Sequence, residues 1–165
     1  MRIPTRAEVD AYCGSPTTIY QRVAGVAAPV LLLGTIVYLL LRLPHLPAQI
    51  PSHYNAAGEI DGYSGRGSLL VMPVIGLVTV AVIALAARFP RSWNTGVRLT
   101  AINRVRVYRL TRDLMAELRL AMALIFAGFG VYLSFLPQHF SGVVTAMMIL
   151  LPAIPIVRYF LRLRR

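Results

Sequence analysis

Lysine is absent from the 165-residue chain, and acidic residues are scarce: six carboxylates stand against seventeen arginines, for a formal net charge of +11. Charged residues of both signs make up only 14% of the chain, against about 25% in ordinary soluble domains. Cysteine occurs once, at Cys13, which excludes any intramolecular disulfide. C-terminal lipidation is not expected, since no lipidation box is present in the sequence. No cleavable signal peptide is expected either. Glu8 and Asp10 precede the first apolar run and no small-residue cleavage site closes it, so that run is expected to stay as an anchor. The all-arginine composition is read as codon bias and carries no functional weight.

What the chain does have is apolar surface. Hydrophobic residues are 57% of it, more than a soluble domain of this length can hide but no difficulty in a bilayer, which is itself an apolar solvent. Val23 to Leu41 is a charge-free run of 19 residues, about 28 Å as a helix, close to the thickness of the hydrocarbon core. Pro29 inside it predicts a mild kink. Ser68 to Ala87 is a second run, of 20 residues, containing Pro73 and Gly76. Leu120 to Val157 is charge-free for 38 residues, enough for two spans turning at Pro137, Gln138 and His139. Pro152 and Pro155 predict that the last span is kinked or partly re-entrant.

These runs define an all-α integral membrane protein of about four transmembrane helices in a single domain, residues 1–165. The expected spans are 23–41, 68–87, 120–136 and 140–157, with an outer loop at 43–67 and an inner loop at 88–119. The arginines orient them. Fifteen fall in the N-terminal segment, the 88–119 loop and the C-terminal tail; two, Arg42 and Arg66, fall on the other side. Both termini are therefore expected in the cytoplasm, in a bacterial plasma membrane. The basic balance is read as a topology signal, and nucleic acid is not expected as a partner.

In the inner loop Val107, Leu110, Leu114 and Leu118 recur at helical spacing among charges, and Arg109 and Asp113 are four apart. This predicts a basic amphipathic helix from about Leu99 to Arg119. It would lie on the anionic inner leaflet or dock a cytoplasmic regulator through Arg104, Arg106, Arg109 and Arg112, and run on into the third span. Trp93 and Tyr108 suit the membrane interface.

The outer loop concentrates the polar chemistry. Pro44, Pro47 and Pro51 forbid a regular helix in its first half. Asn55 to Gly58 and Asp61-Gly62 are turn signals that predict a short hairpin or compact loop. His53, Asn55, Glu59 and Asp61 fall within nine residues, followed by Tyr63 and Arg66. Four readings fit: a scaffold whose Asn, Asp and Gly set turn geometry; a divalent metal site; acid–base chemistry by Glu59 or Asp61 with His53; and recognition of an outer ligand. The spacing matches no zinc signature. Catalysis would need a second cluster to close a water-excluded pocket, and only His139 in the other outer turn is available. No catalytic residue, metal or cofactor is therefore expected.

The stretch IPSHYNAAGEIDGYSGRGSLLVMPVIGLV resembles a bacterial membrane domain of unknown function, number 1648, which forms the N-terminal part of SdpI-type toxin immunity proteins. The resemblance rests on Pro47, Pro51, His53, Tyr54, Asn55, Gly58, Asp61, Gly62 and Arg66, the last where the family often has lysine. The inner segment FPRSWNTGVRLTAINRVRVYRLTRDLM resembles the family's inner loop at Phe89, Pro90, Asn94, Asn103, Arg106 and Tyr108. The position before Asn103, often acidic there, is Ile102.

The resemblance implies immunity to, or sensing of, a secreted membrane-active peptide toxin. On that reading the outer face binds through His53, Tyr54, Asn55, Glu59, Asp61, Tyr63 and Arg66. The implied partners are the bilayer, a peptide toxin outside and a cytoplasmic regulator; a second copy of the chain is a further candidate, through Gly25, Gly34, Gly76, Gly128 and Gly130. The alternatives are a small transporter, a metal-dependent membrane enzyme, and a subunit of a larger complex. Transport is disfavoured because polar groups at mid-bilayer depth are few, Thr35, Thr79, Ser134 and Thr145, with no acid and no histidine.

Overall fold

The computed structural model of the chain describes residue 5, residues 17–100 and residues 102–164. Glu8, Asp10 and Cys13 lie outside the described residues. Among the described residues four helices are long and apolar enough to cross a membrane. They are α1 (Ile19–Arg42), α2 (Val71–Ala86), α3 (Arg104–Leu133) and α4 (Gly142–Leu163). Two strands, β1 (Gln49–Tyr54) and β2 (Ile60–Gly65), form a hairpin between α1 and α2. Short 3-10 turns at Leu43–His45 and Arg66–Leu70 carry the chain into and out of it.

Each helix has a protein face and a lipid face. On α1, Ala24, Ala28, Leu32, Thr35 and Leu39 are buried at spacings of three and four, while Val23, Val26, Val30, Leu33, Val37 and Leu40 are exposed on the other side. An apolar stripe turned outward is stable only in lipid, so burial and exposure together define a membrane-spanning helix. α3 is the central element and packs on α1, α2 and α4. Ala28 and Leu32 of α1, Val80 of α2, and Ala123 and Ala127 of α3 form the mid-bundle core. Gly76 sets the closest crossing: a Cβ there would sit 2.7 Å from Phe126 Cβ and 2.8 Å from Leu32 Cδ2. With little hydrophobic drive between helices in lipid, such close backbone approach supplies the packing.

The helices are longer than the charge-free runs. α1 begins at Ile19, fixed by a capping box in which Thr18 Oγ1 accepts from Gln21 N–H at 3.2 Å and Gln21 Oε1 accepts from Thr18 N–H at 3.3 Å. α1 and α4 pass through Pro29, Pro152 and Pro155 as unbroken helices, so the last span is a full helix and not re-entrant. Neighbouring helices and local adjustment of the backbone let a membrane helix continue past a proline.

The largest difference concerns α3. The basic helix expected at about Leu99 to Arg119 does run on into the span expected at 120–136, as one continuous helix of 30 residues, but it starts at Arg104 and its basic part packs against protein. At about 45 Å it exceeds a hydrocarbon core of about 30 Å, so its first three turns extend past the membrane at the arginine-rich end. Val107, Tyr108 and Thr111 on that extension are buried by protein. Thr111 Oγ1 lies 3.1 Å from the Tyr159 hydroxyl of α4, which donates to the Thr95 carbonyl at 2.8 Å. Arg106 donates to the Arg162 carbonyl at the end of α4. Asp113 accepts from Gln21 Nε2 of α1 at 2.7 Å, and Glu117 lies 3.5 Å from the Arg158 guanidinium. Hydropathy ends a span at the first charge, whereas the helix continues because those charges find partners on α1 and α4.

Candidate functional site at the hairpin

A two-stranded hairpin alone is marginal in water, and this one is fastened at three levels. At its base Ile50, 1% exposed, packs with Leu39, Leu46, Leu69 and Leu133. At its entry Arg66 donates to the Leu46 carbonyl at 3.1 Å, and its backbone N–H to the Ala48 carbonyl at 3.0 Å. At its tip the α3–α4 turn holds it. The Tyr54 hydroxyl donates to the Pro137 carbonyl at 2.8 Å, Phe140 N–H donates to the Gly58 carbonyl at 2.8 Å, and Glu59 bridges His139 through backbone. Tyr54 and Phe140 rings meet at 5.3 Å, and Tyr132 closes the turn by donating to the His139 carbonyl at 3.1 Å. Leu136, with φ of 52°, takes the left-handed conformation that ends α3 just before this contact.

The connecting turn is built by Asn55. Its Oδ1 accepts from the N–H groups of Ala57 at 2.9 Å and Glu59 at 3.0 Å, and its Nδ2 donates to Glu59 Oε2 at 3.1 Å. Gly58 follows with φ of 80°, a conformation that strains any residue with a Cβ. This is an Asx turn, and it consumes the polar capacity of the Asn55 side chain.

The strands are antiparallel, with Pro51 opposite Tyr63, His53 opposite Gly62 and Tyr54 opposite Ile60. Register breaks on both sides of His53 mark bulges at Ser52 and Asp61. Bulges re-aim side chains, and here His53 Nδ1 and Asp61 Oδ1 come to 2.5 Å. Gly62 leaves the room: a Cβ on it would be 2.9 Å from the His53 Cβ. The pair is open to solvent, with side-chain exposures of 73% for His53 and 42% for Asp61. Tyr63 beside it is 62% exposed. Burial pushes the Tyr54 phenol above the ordinary tyrosine value of 10.0, and Tyr132 and Tyr63 add to the shift.

The seven expected outer residues thus divide. Tyr54, Asn55 and Arg66 fasten and shape the hairpin; Glu59 is tied to Asn55; His53, Asp61 and Tyr63 are presented outward. A cleft of about 290 Å³ runs from Ser52 and Ser64, whose hydroxyls are 2.8 Å apart and which are the chain neighbours of His53 and Tyr63, down to Met72 and Phe129 on the helices. Among the described residues no three of His, Cys, Asp and Glu converge as metal ligands. His139 approaches the hairpin through its backbone, not as a third group beside His53 and Asp61. Of the four arginines expected on the inner side, Arg106 caps α4, Arg112 lines a cavity and Arg109 is exposed, while Arg104 is half-buried. Of the glycines considered for chain–chain packing, Gly76 is used within the bundle, whereas Gly34 and Gly128 face open space. Residues missed by sequence reasoning are Pro137 and Phe140, which hold the hairpin tip, and Gln21, which joins α1 to α3. The Thr18–Gln21 capping signature was the readable sign of the last.

The fold defines a multi-pass helical membrane protein with a structured hairpin at one end of its bundle. Within it, residues 30–77 match the family model described as "Domain of unknown function (DUF1648)". The matched segment runs from the middle of α1 through the hairpin to the middle of α2, and so contains the His53–Arg66 motif; it stops short of the inner-loop segment that also carried the resemblance. An uncharacterized protein of Archaeoglobus fulgidus is 34% identical over 67 residues, which cover 41% of this chain and 32% of that protein. The chain therefore aligns with about a third of that relative's length. No solved structure matches the chain.

Proposed function

We propose that the protein binds a ligand at its outer face, and that the ligand is a secreted membrane-active peptide to which the chain confers immunity or which it senses. On this reading it is a bacterial plasma-membrane protein with both termini in the cytoplasm, and it acts by binding, not as an enzyme. The observation that carries the reading is the solvent-open His53–Asp61 pair beside Tyr63, held on a hairpin fastened to the bundle and next to an amphipathic cleft. A rigid platform with exposed polar and aromatic groups is suited to recognition, whereas general acid–base work calls for a pocket that excludes water. An amphipathic peptide would set its charged residues against His53 and Asp61 and its apolar face in the cleft leading to Met72 and Phe129. The resemblance to SdpI-type proteins supports immunity, and the matched domain supports the outer segment as the shared part.

The test is survival of a sensitive bacterial host challenged with amphipathic membrane-permeabilising peptides, with wild type, His53→Ala or Asp61→Ala expressed at equal membrane levels. Protection by wild type that is lost in both variants supports the reading. Equal killing of all strains and of the empty host removes it.

A further inference from the structure

The opposite end of the bundle holds a cavity of about 420 Å³ that the outer-face reading leaves unused. Its walls come from three elements: Gln21 near the start of α1, Arg88 and Trp93 in the α2–α3 connection, and Tyr108, Arg112 and Arg119 on α3. Three guanidinium groups line one space, and none of the described residues lining it is acidic. The nearby acids of α3 have partners of their own, Asp113 the cavity-wall residue Gln21 and Glu117 the Arg158 guanidinium. Arg119 Nε is buried, and among the described residues it has no hydrogen-bond partner. A buried charged donor without an acceptor is costly. An anion beside Arg119 would relieve it.

The depth of the cavity narrows the anion. α2 ends at Ala86, and the Trp93 indole N–H donates to the Ala86 carbonyl at 2.8 Å. The Trp93 and Tyr108 rings meet edge-on at 5.8 Å. A helix end capped by an aromatic pair marks the headgroup level. Guanidinium groups match phosphate oxygens with paired N–H bonds, and basic pockets between membrane helices take phosphorylated lipid headgroups. The volume falls in the range of small-ligand sites.

We propose that this cavity binds a phosphate group, as a phosphodiester or phosphomonoester, between Arg88 and Arg119 with Arg112 as a third lining cation. The group would come from an anionic phospholipid of the inner leaflet or from a soluble phosphorylated compound. The site is independent of the outer-face reading.

The full chain is placed in lipid nanodiscs of phosphatidylcholine alone or mixed with phosphatidylglycerol. Lipid retained after detergent exchange is measured by native mass spectrometry, together with the unfolding temperature. Inorganic phosphate is titrated into the phosphatidylcholine discs as the soluble arm. The expected result is preferential retention of phosphatidylglycerol and a higher unfolding temperature in its presence. Arg88→Gln and Arg119→Gln should each weaken binding about tenfold, the loss of one charge-assisted pair; Arg164→Gln on the exposed tail should not. Protection by inorganic phosphate with the same dependence on Arg88 and Arg119, and without lipid preference, keeps the site and assigns it to a soluble ligand. Absence of both effects, or their persistence in Arg88→Gln, overturns the proposal. Arg88 is exposed in a connection, so its variant serves if Arg119→Gln does not fold.

Discussion

The Tyr54 hydroxyl donates to the Pro137 carbonyl at 2.8 Å across 83 residues of sequence, so the hairpin that follows α1 is locked to the turn that joins α3 and α4. Replacing Tyr54 by Phe keeps the ring against Phe140 and removes only the hydroxyl. The expected cost is about 1 kcal/mol, concentrated in the hairpin. Hydrogen exchange should show faster exchange at the Gly58 and Phe140 amides and little change at mid-bundle amides.

The same tyrosine sets an alkaline limit. Burial raises its folded pKa above 10.0, so below pH 10 the phenol is protonated in both states and its contribution is fully present. As pH rises past 10 the loosened hairpin gives up the proton first, and the stability contribution is lost through the raised folded value. Hairpin hydrogen exchange, corrected for its intrinsic pH dependence, should accelerate above pH 10 in wild type and lack this step in Tyr54→Phe.

Asn55→Ala is predicted to remove the acceptor shared by the Ala57 and Glu59 amides, at a cost of about 1–2 kcal/mol. Limited proteolysis at Ala56–Ala57 should become faster, while His53→Ala, which leaves the Asx turn intact, should not change it.

Gly76→Ala places a methyl group 2.7 Å from Phe126 Cβ and should lower stability by about 1–3 kcal/mol. Gly34→Ala and Gly128→Ala meet nothing within 4 Å and should be neutral or slightly stabilising, because alanine is the better helix former. Unfolding temperatures in a single detergent compare the three directly.

Much of the fold was legible because lipid and charge act on long runs of residues. Val23 to Leu41 and Ser68 to Ala87 marked α1 and α2 to within a few residues, and Asn55, Gly58 and the Asp61-Gly62 pair announced the hairpin. The packing of the basic half of α3 was not legible. Arg104 to Arg119 reads as a surface helix by composition, and only tertiary partners show otherwise: Tyr159 against Thr111, Gln21 against Asp113 and Arg158 against Glu117. In the site, residue types identified the right segment but not the division of labour within it. His53 and Asn55 are equally polar; one faces solvent and the other is spent on its own turn, a difference set by two bulges that no spacing rule reveals. The docking of the hairpin tip on Pro137 and Phe140 was hidden for the same reason, since it joins segments about 80 residues apart through backbone groups.

The central claim is that the hairpin stands outside the cell and the long arginine-rich end of α3 inside, and cysteine labelling tests it most directly. In a Cys13→Ser background, single cysteines are placed at Ala56, at the exposed tip of the hairpin, and at Val97, in the α2–α3 connection. A membrane-impermeant maleimide applied to intact cells should label the Ala56 position and reach the Val97 position only after lysis. Labelling of the Val97 position in intact cells, with the Ala56 position silent until the cells are broken, would contradict the account.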